Sequence, residues 1–282
     1  MEYQKINLDD YVQSGEGGTS ITYSSKDGHT LAKLYLPGYG SESIVREFQV
    51  NQAVYEAGIP TPKPIRLITD GTRIGAEYEI VTNKRSLSRI ISEEPEQLEP
   101  LTIRFAQMAK QLHQTPANTE RFPDMRELVR YHISRYEGLP QDLKDRLMAK
   151  LETIPAPATC IHGDLHIGNV VFDGNRNLWI DIGDFAYGCP EWDLGMMYFA
   201  FYTMSEARAQ SIFHLNVETL KRHWTLFARA YWNTEDAGEI AAHVRALSPF
   251  IALKLAYFIS KLHDGKGDVP EALIQALNGY LR

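Results

Sequence analysis

The apolar residues change their period near residue 82, and that change limits the folds open to this chain. Before it, "HTLAKLYL" (29–36) alternates around Ala32 and Leu34 and stops at Pro37-Gly38. "IRLITDGTRIGAEYEIVT" (65–82) reads as two strands about Asp70-Gly71, a hairpin pattern. "YVQSGEGGTSITYSS" (11–25) has strand-like ends around a glycine-rich middle. One helix is predicted among these strands, over about 42–57: Ile44, Phe48 and Tyr55 recur at helical spacing, and Gly58 and Pro60 stop it. After "TNKRS" the pattern turns helical. Leu101, Phe105, Met108 and Leu112 fall at i, i+4, i+7 and i+11, the stripe of an amphipathic helix. Residues 125–153, and the stretch from Asp193 to Arg282, also read as helices, with a short β segment embedded at 159–182. The expected architecture is therefore α+β. A small β-rich N-terminal lobe (1–82) precedes a larger helical C-terminal lobe (83–282), and 282 residues with 44% hydrophobic content suffice for both.

Charge and composition exclude some function classes. A net charge of -7 argues against a general nucleic-acid binder, which needs a basic face. The apolar helical stretch "LGMMYFAFYTM" is too short to span a bilayer, so no membrane partner is expected. The two cysteines, Cys160 and Cys189, form no motif, and "MEYQKINLDDYV" has neither a basic n-region nor an apolar h-region. Both point to a reduced, cytoplasmic setting.

The chemistry concentrates in "CIHGDLHIGNVVF" (160–172) and "WIDIGDF" (179–185). Each residue taken singly suits an ordinary turn, where Asp and Asn cap backbone amides. His162, Asp164 and His166 alternate, and imidazole with carboxylate suits a transition metal. A hydrolytic two-metal site needs further ligands, and no second histidine cluster follows. A third reading uses the spacing. Asp164 is followed five residues on by Asn169, then a hairpin about Asp173-Gly174-Asn175, then Asp181. Phosphoryl transfer from a nucleotide uses such a set: one carboxylate for the attacking hydroxyl, and a carboxylate with an amide oxygen for Mg²⁺.

"HGDLHIGN" followed by "IDIGDFAYGCPEWDLG" resembles the aminoglycoside phosphotransferase and choline kinase group of small-molecule kinases, whose fold is protein-kinase-like. The resemblance implies a bilobal kinase fold and a kinase transferring phosphate from ATP or GTP, with Mg²⁺, to an alcohol of a small-molecule acceptor. It implies Asp164 as catalytic base and Asn169 and Asp181 as metal ligands. Asp193 would hold the catalytic loop through backbone hydrogen bonds, and His162 and His166 would be scaffold. In the N-terminal lobe, Lys33 would reach the phosphates, held by Glu47 on the following helix. "EYEIVTNK" would be the hinge, binding the nucleobase near Glu79 and Val81. "SGEGGTS" keeps only a partial glycine motif, in which Gly17, Thr19 and Ser20 would touch phosphates. Cys189 stands where relatives often have aspartate, and Ile167 replaces a frequent proline. A protein kinase and a non-catalytic nucleotide-binding relative are the alternatives. The H-G-D spelling and the lack of an Ala-Pro-Glu element count against the first, and the base at Asp164 against the second.

Overall fold

A computed structural model describes residues 3–16, 19–262 and 265–281. In chain order the first elements are β1 (Gln4–Lys5), β2 (Tyr11–Glu16), β3 (Ser20–Ser25), β4 (Thr30–Tyr35), α1 (Ser41–Glu56), β5 (Pro64–Thr69), β6 (Ile74–Glu79) and β7 (Arg85–Ser86). Helices α2 (Leu87–Glu93), α3 (Leu98–Gln114), α4 (Met125–Arg135) and α5 (Gln141–Glu152) follow, then β8 (Cys160–Ile161), β9 (Val170–Phe172), β10 (Asn177–Trp179) and β11 (Ala186–Tyr187). The remainder is helical: α6 (Glu191–Thr203), α7 (Glu206–Phe213), α8 (Val217–Trp232), α9 (Ala237–Ala246), α10 (Ser248–Leu262) and α11 (Glu271–Tyr280).

Backbone contacts divide the chain into two compact units. One is Met1–Ser86 with Asn169–Asp184, and the other is Leu87–Gly168 with Phe185–Arg282. The segment 169–184 thus belongs with the sheet, although sequence order places it among the helices. The cause is pairing and burial: β7 pairs antiparallel with β9, the Trp179 N–H donates to the Pro60 carbonyl, and Val81, Val171 and Leu178 form one buried cluster.

In the first unit six strands run in the order β1-β5-β6-β4-β3-β2. All neighbours are antiparallel except β1 and β5. Alternation along β4 buries Ala32 and Leu34 on one face with Ile6 and Ile68, as period two requires. Tyr35, Leu67 and Ala76 form a second cluster with Ile44 and Phe48 of α1. The helix stripe differs from the sequence expectation at one place. Tyr55 is exposed, while Asn51 and Val54 are buried, because the packed face of α1 turns through 44, 48, 51 and 54. Gly75 of β6 faces Leu34 of β4, and a Cβ there would lie 1.9 Å from the Lys33 carbonyl oxygen. Only glycine permits this approach.

In the second unit α3 packs on α8, and α10 packs on α4, α6 and α11. Leu101, Phe105 and Leu112 of α3 are buried as their spacing predicts. The stretch "LGMMYFAFYTM" falls in the 13-residue helix α6 and its cap, and another run is longer. Helical residues Ala237–Leu262 qualify by length and composition, with 44% of the apolar window buried inside the protein. The run combines α9 with α10, whose residues Phe250 to Tyr257 are core, so its apolar character serves packing between helices.

Candidate active site

A cavity of about 260 Å³ opens in the first unit. Its lining includes Lys33, Glu47, Glu79, Val81, Asn169 and Asp181, six of the residues singled out from the sequence. Their assembly follows from local rules. Since Ala32 and Leu34 face the core, Lys33 between them projects from the opposite face of β4. Its Nζ lies 2.8 Å from Oε1 of Glu47 and 5.0 Å from the centre of the Tyr35 ring. Glu47 sits beside buried Phe48, at the edge of the packed face of α1. A Cβ on Gly183 would come within 3.2 Å of the Glu47 carboxyl carbon, so the third residue of "DIG" leaves room for this carboxylate.

Asn169 and Asp181 are joined through the backbone: the Ile180 N–H donates to the Asn169 carbonyl at 3.0 Å. This bond holds the exit of β10 against the residue that enters β9. Asn169 is buried and Asp181 exposed. Asp181 has φ +57, a left-handed conformation that costs a non-glycine residue energy and concentrates at functional sites. Its carboxylate forms no ion pair with a described cation. A carboxylate and an asparagine on the wall of the cavity that holds Lys33 fit the donor chemistry of Mg²⁺.

The segment "EYEIVTNK", expected to be the hinge, is more committed than the sequence suggests. The Glu79 N–H donates to Lys63 O and the Ile80 N–H to His29 O, while the Glu79 side chain pairs with Arg176. Thr19 and Ser20 do not line the cavity. The Thr19 carbonyl accepts from Leu36 N–H, and Ser20 is buried in the β3 ladder opposite Tyr35. Gly17 lies outside the described residues. Asn51, Tyr78 and Lys84 also line the cavity; the last two fall within "EYEIVTNK" without being named from the sequence, and Asn51 was missed altogether. Asn51 had a usable signal, since it lies one helical turn beyond Glu47.

The second unit carries Asp164. Its side chain is half-exposed, and Oδ2 is 3.7 Å from Nε2 of His166. Burial raises its pKa, but the hydrogen bond from His166, with the charge of Lys254, outweighs it. The net effect keeps Asp164 below the usual carboxylate range, hence ionised at neutral pH. The Gly168 N–H donates to Nδ1 of His166 and the Asp164 N–H to Nδ1 of His162, so both rings brace the loop backbone. No group of three His, Cys, Asp or Glu among the described residues is arranged to hold a metal, which leaves the histidine-metal reading without support.

Asp193 stands at the first turn of α6 and is fully buried. Its Oδ2 accepts from His162 N–H at 2.7 Å and its Oδ1 from Gly163 N–H at 2.8 Å. His113 Nε2 donates to Oδ2 at 3.1 Å, and the Tyr231 hydroxyl bonds Nδ1 of the same ring at 2.7 Å. Burial alone would raise the Asp193 pKa. The hydrogen bond of His113, with the charge of Lys254, reverses that and holds it ionised.

Comparison with known proteins bears on the family and the fold. The model of the phosphotransferase enzyme family matches residues 14–224. Acyl-CoA dehydrogenase family member 11 of Pongo abelii and of Homo sapiens are 25% and 24% identical over 188 residues. That match covers 60% of this chain and 23% of each relative, so the chain spans less than a quarter of their length. Among solved structures, a thermostable mutant of aminoglycoside phosphotransferase APH(4)-Ia superposes with a TM-score of 0.64 at 16% identity, covering 97% of this chain and 94% of that one. Plasmodium vivax ethanolamine kinase gives 0.58 at 15% identity, covering 97% and 82%. At such identities the likeness establishes the fold, a kinase-like mixed α+β architecture.

Proposed function

The chain belongs to the phosphotransferase enzyme family, and on that premise we propose that it moves the γ-phosphate of ATP or GTP to a hydroxyl of a small molecule. The observation that carries this reading is the Lys33–Glu47 ion pair in one cavity with Asn169 and Asp181. A cation, an oriented carboxylate and two oxygen donors around one space suit a nucleotide polyphosphate. The fold relatives are consistent with it: a variant of APH(4)-Ia was solved as a ternary complex with AMP-PNP and hygromycin B.

Each residue has a distinct role in the proposed reaction. Lys33 binds phosphate oxygens, and Glu47 fixes where its ammonium points. Asn169 and Asp181 hold Mg²⁺, which when bound offsets the charge of the phosphates. Asp164 accepts the hydrogen of the acceptor hydroxyl. Its low pKa suits orienting that hydroxyl in a loose transition state more than full deprotonation before transfer. Asp193 fixes the backbone at His162 and Gly163, directly before Asp164.

The test is turnover. The protein is incubated with Mg-ATP or Mg-GTP and panels of aminoglycosides, sugars, choline and related amino alcohols, and nucleoside diphosphate release is followed. Acceptor-dependent release is the expected result. Nucleotide binding with no turnover on any panel, and phosphorylation of a generic protein substrate instead, would overturn the small-molecule reading.

A further inference from the structure

Helix α1 carries an asparagine where its packing calls for an apolar side chain. Asn51 is 7% exposed and lies on the face of α1 shared with Phe48 and Val54. Asparagine is a poor helix former, and a buried amide needs partners for both ends. Asn51 satisfies only one. Its Nδ2 donates to the Tyr78 hydroxyl at 2.7 Å, while Oδ1 is buried with no hydrogen-bond partner. Leucine, similar in branching, would remove that unsatisfied acceptor. A local rule broken at the wall of a cavity points to function.

The geometry shows what the asparagine does. Asn51 lies one turn beyond Glu47 on the same helix, and both line the cavity. Tyr78 belongs to β6, the strand beside β4, in which Lys33 sits. The Asn51–Tyr78 bond therefore ties α1 to the sheet one turn away from the Lys33–Glu47 pair. Both Tyr78 and Tyr35 have raised pKa values, from burial first and the charge of Glu47 second, so the Tyr78 hydroxyl stays protonated at working pH.

We propose that Asn51 is a positioning residue, which through Tyr78 sets the rotation and height of α1 so that Glu47 presents its carboxylate to Lys33. The inference rests on the reading of Lys33 and Glu47 as nucleotide contacts. It explains why a polar contact is kept at a position where an apolar residue would pack with less loss. An apolar pair slides, whereas a hydrogen bond at 2.7 Å has a direction.

The test compares Asn51→Leu, Tyr78→Phe, the double variant and Lys33→Ala by thermal melting and by kcat and KM for the nucleotide. Asn51→Leu removes the unsatisfied Oδ1 but strands the Tyr78 hydroxyl, so it is expected to melt near the wild-type temperature and to lose about tenfold in kcat/KM. Tyr78→Phe breaks the same contact with a smaller change in shape and should reproduce the loss. The double variant should be no worse than either single change, because all three remove one bond. Wild-type kcat/KM in Asn51→Leu, or additive losses in the double variant, would overturn the proposal. So would a fall in melting temperature that accounts for the lost activity in both single variants. If Lys33→Ala is crippled while Asn51→Leu is not, only the positioning role falls. If Lys33→Ala keeps wild-type kcat/KM, the nucleotide reading falls and the positioning role with it.

Discussion

Asp181 and Asp193 are twelve positions apart in the chain and live in opposite surroundings. Asp193, in the helical unit, is buried with both carboxylate oxygens taken by backbone N–H groups and His113. Asp181, in the sheet unit, is exposed to a cavity, held at φ +57, and pairs with no described cation. The same side chain is in one case a fixed part of the backbone scaffold and in the other an open donor. What separates them is where their lone pairs go, and lone pairs left open inside a cavity remain available to a ligand.

The widest test of that contrast adds the third aspartate. Asp164→Asn keeps the shape of the side chain and removes its charge. Turnover is expected to fall about 10²- to 10⁴-fold while Mg-nucleotide affinity persists, as measured by steady-state rates beside calorimetric titration. A fully active Asp164→Asn protein would contradict its role. Next in size is Asp193→Ala, which strands two buried N–H groups and His113. Chemical denaturation should show a loss on the order of 3–5 kcal/mol. Asp181→Ala should leave the midpoint nearly unchanged and weaken Mg-nucleotide binding instead. If both variants lose the same stability, the distinction between scaffold and open donor fails.

A third test uses pH. His223 is buried between α3 and α8, bonded to Thr102 at 2.7 Å, and burial pushes its pKa down to about 3. The unfolded chain takes the proton near pH 6.5 and the native protein only near 3, so stability should fall as pH drops from 6.5 toward 3. The contribution is about 2 kcal/mol at pH 5. His223→Gln should melt with a flatter pH dependence over that window, and equal slopes would show that the ring titrates in the folded state. The smallest expected effect is Gly183→Ala. The added methyl presses on the Glu47 carboxylate, and nucleotide KM should rise several-fold with little change in melting temperature.

Much of this was legible in the sequence, for physical reasons. Ala32 and Leu34 give away the face of Lys33 because strands alternate. Asp164, Asn169 and Asp181 stand out because few purposes need those groups at that spacing. Other features depend on partners distant in sequence. β1 is two residues long and exists through its pairing with Ile68 and Thr69. Segment 169–184 joins the sheet unit through β7 and Pro60, which no local pattern announces. The Glu79 N–H looks available for a nucleobase until Lys63 is found accepting it. Tyr55 continues a helical stripe on paper, yet the helix buries Asn51, because the packed face follows the contacts on offer and admits a polar side chain where Tyr78 can meet it.

The close approach at Gly75 has a bearing on how this protein can change. With no side chain between β6 and the Lys33 carbonyl, main chain rests on main chain, and the height of the lysine strand is set by peptide dimensions alone. Neighbouring side chains can then drift without moving Lys33, so most of the sheet is open to variation while one position is closed to it. A saturation library over β4 and β6, selected for activity, should accept many residues at Ile74 and almost nothing but glycine at 75. The ancestry of Lys33 would then be traced more reliably through a residue without a side chain than through those that surround it.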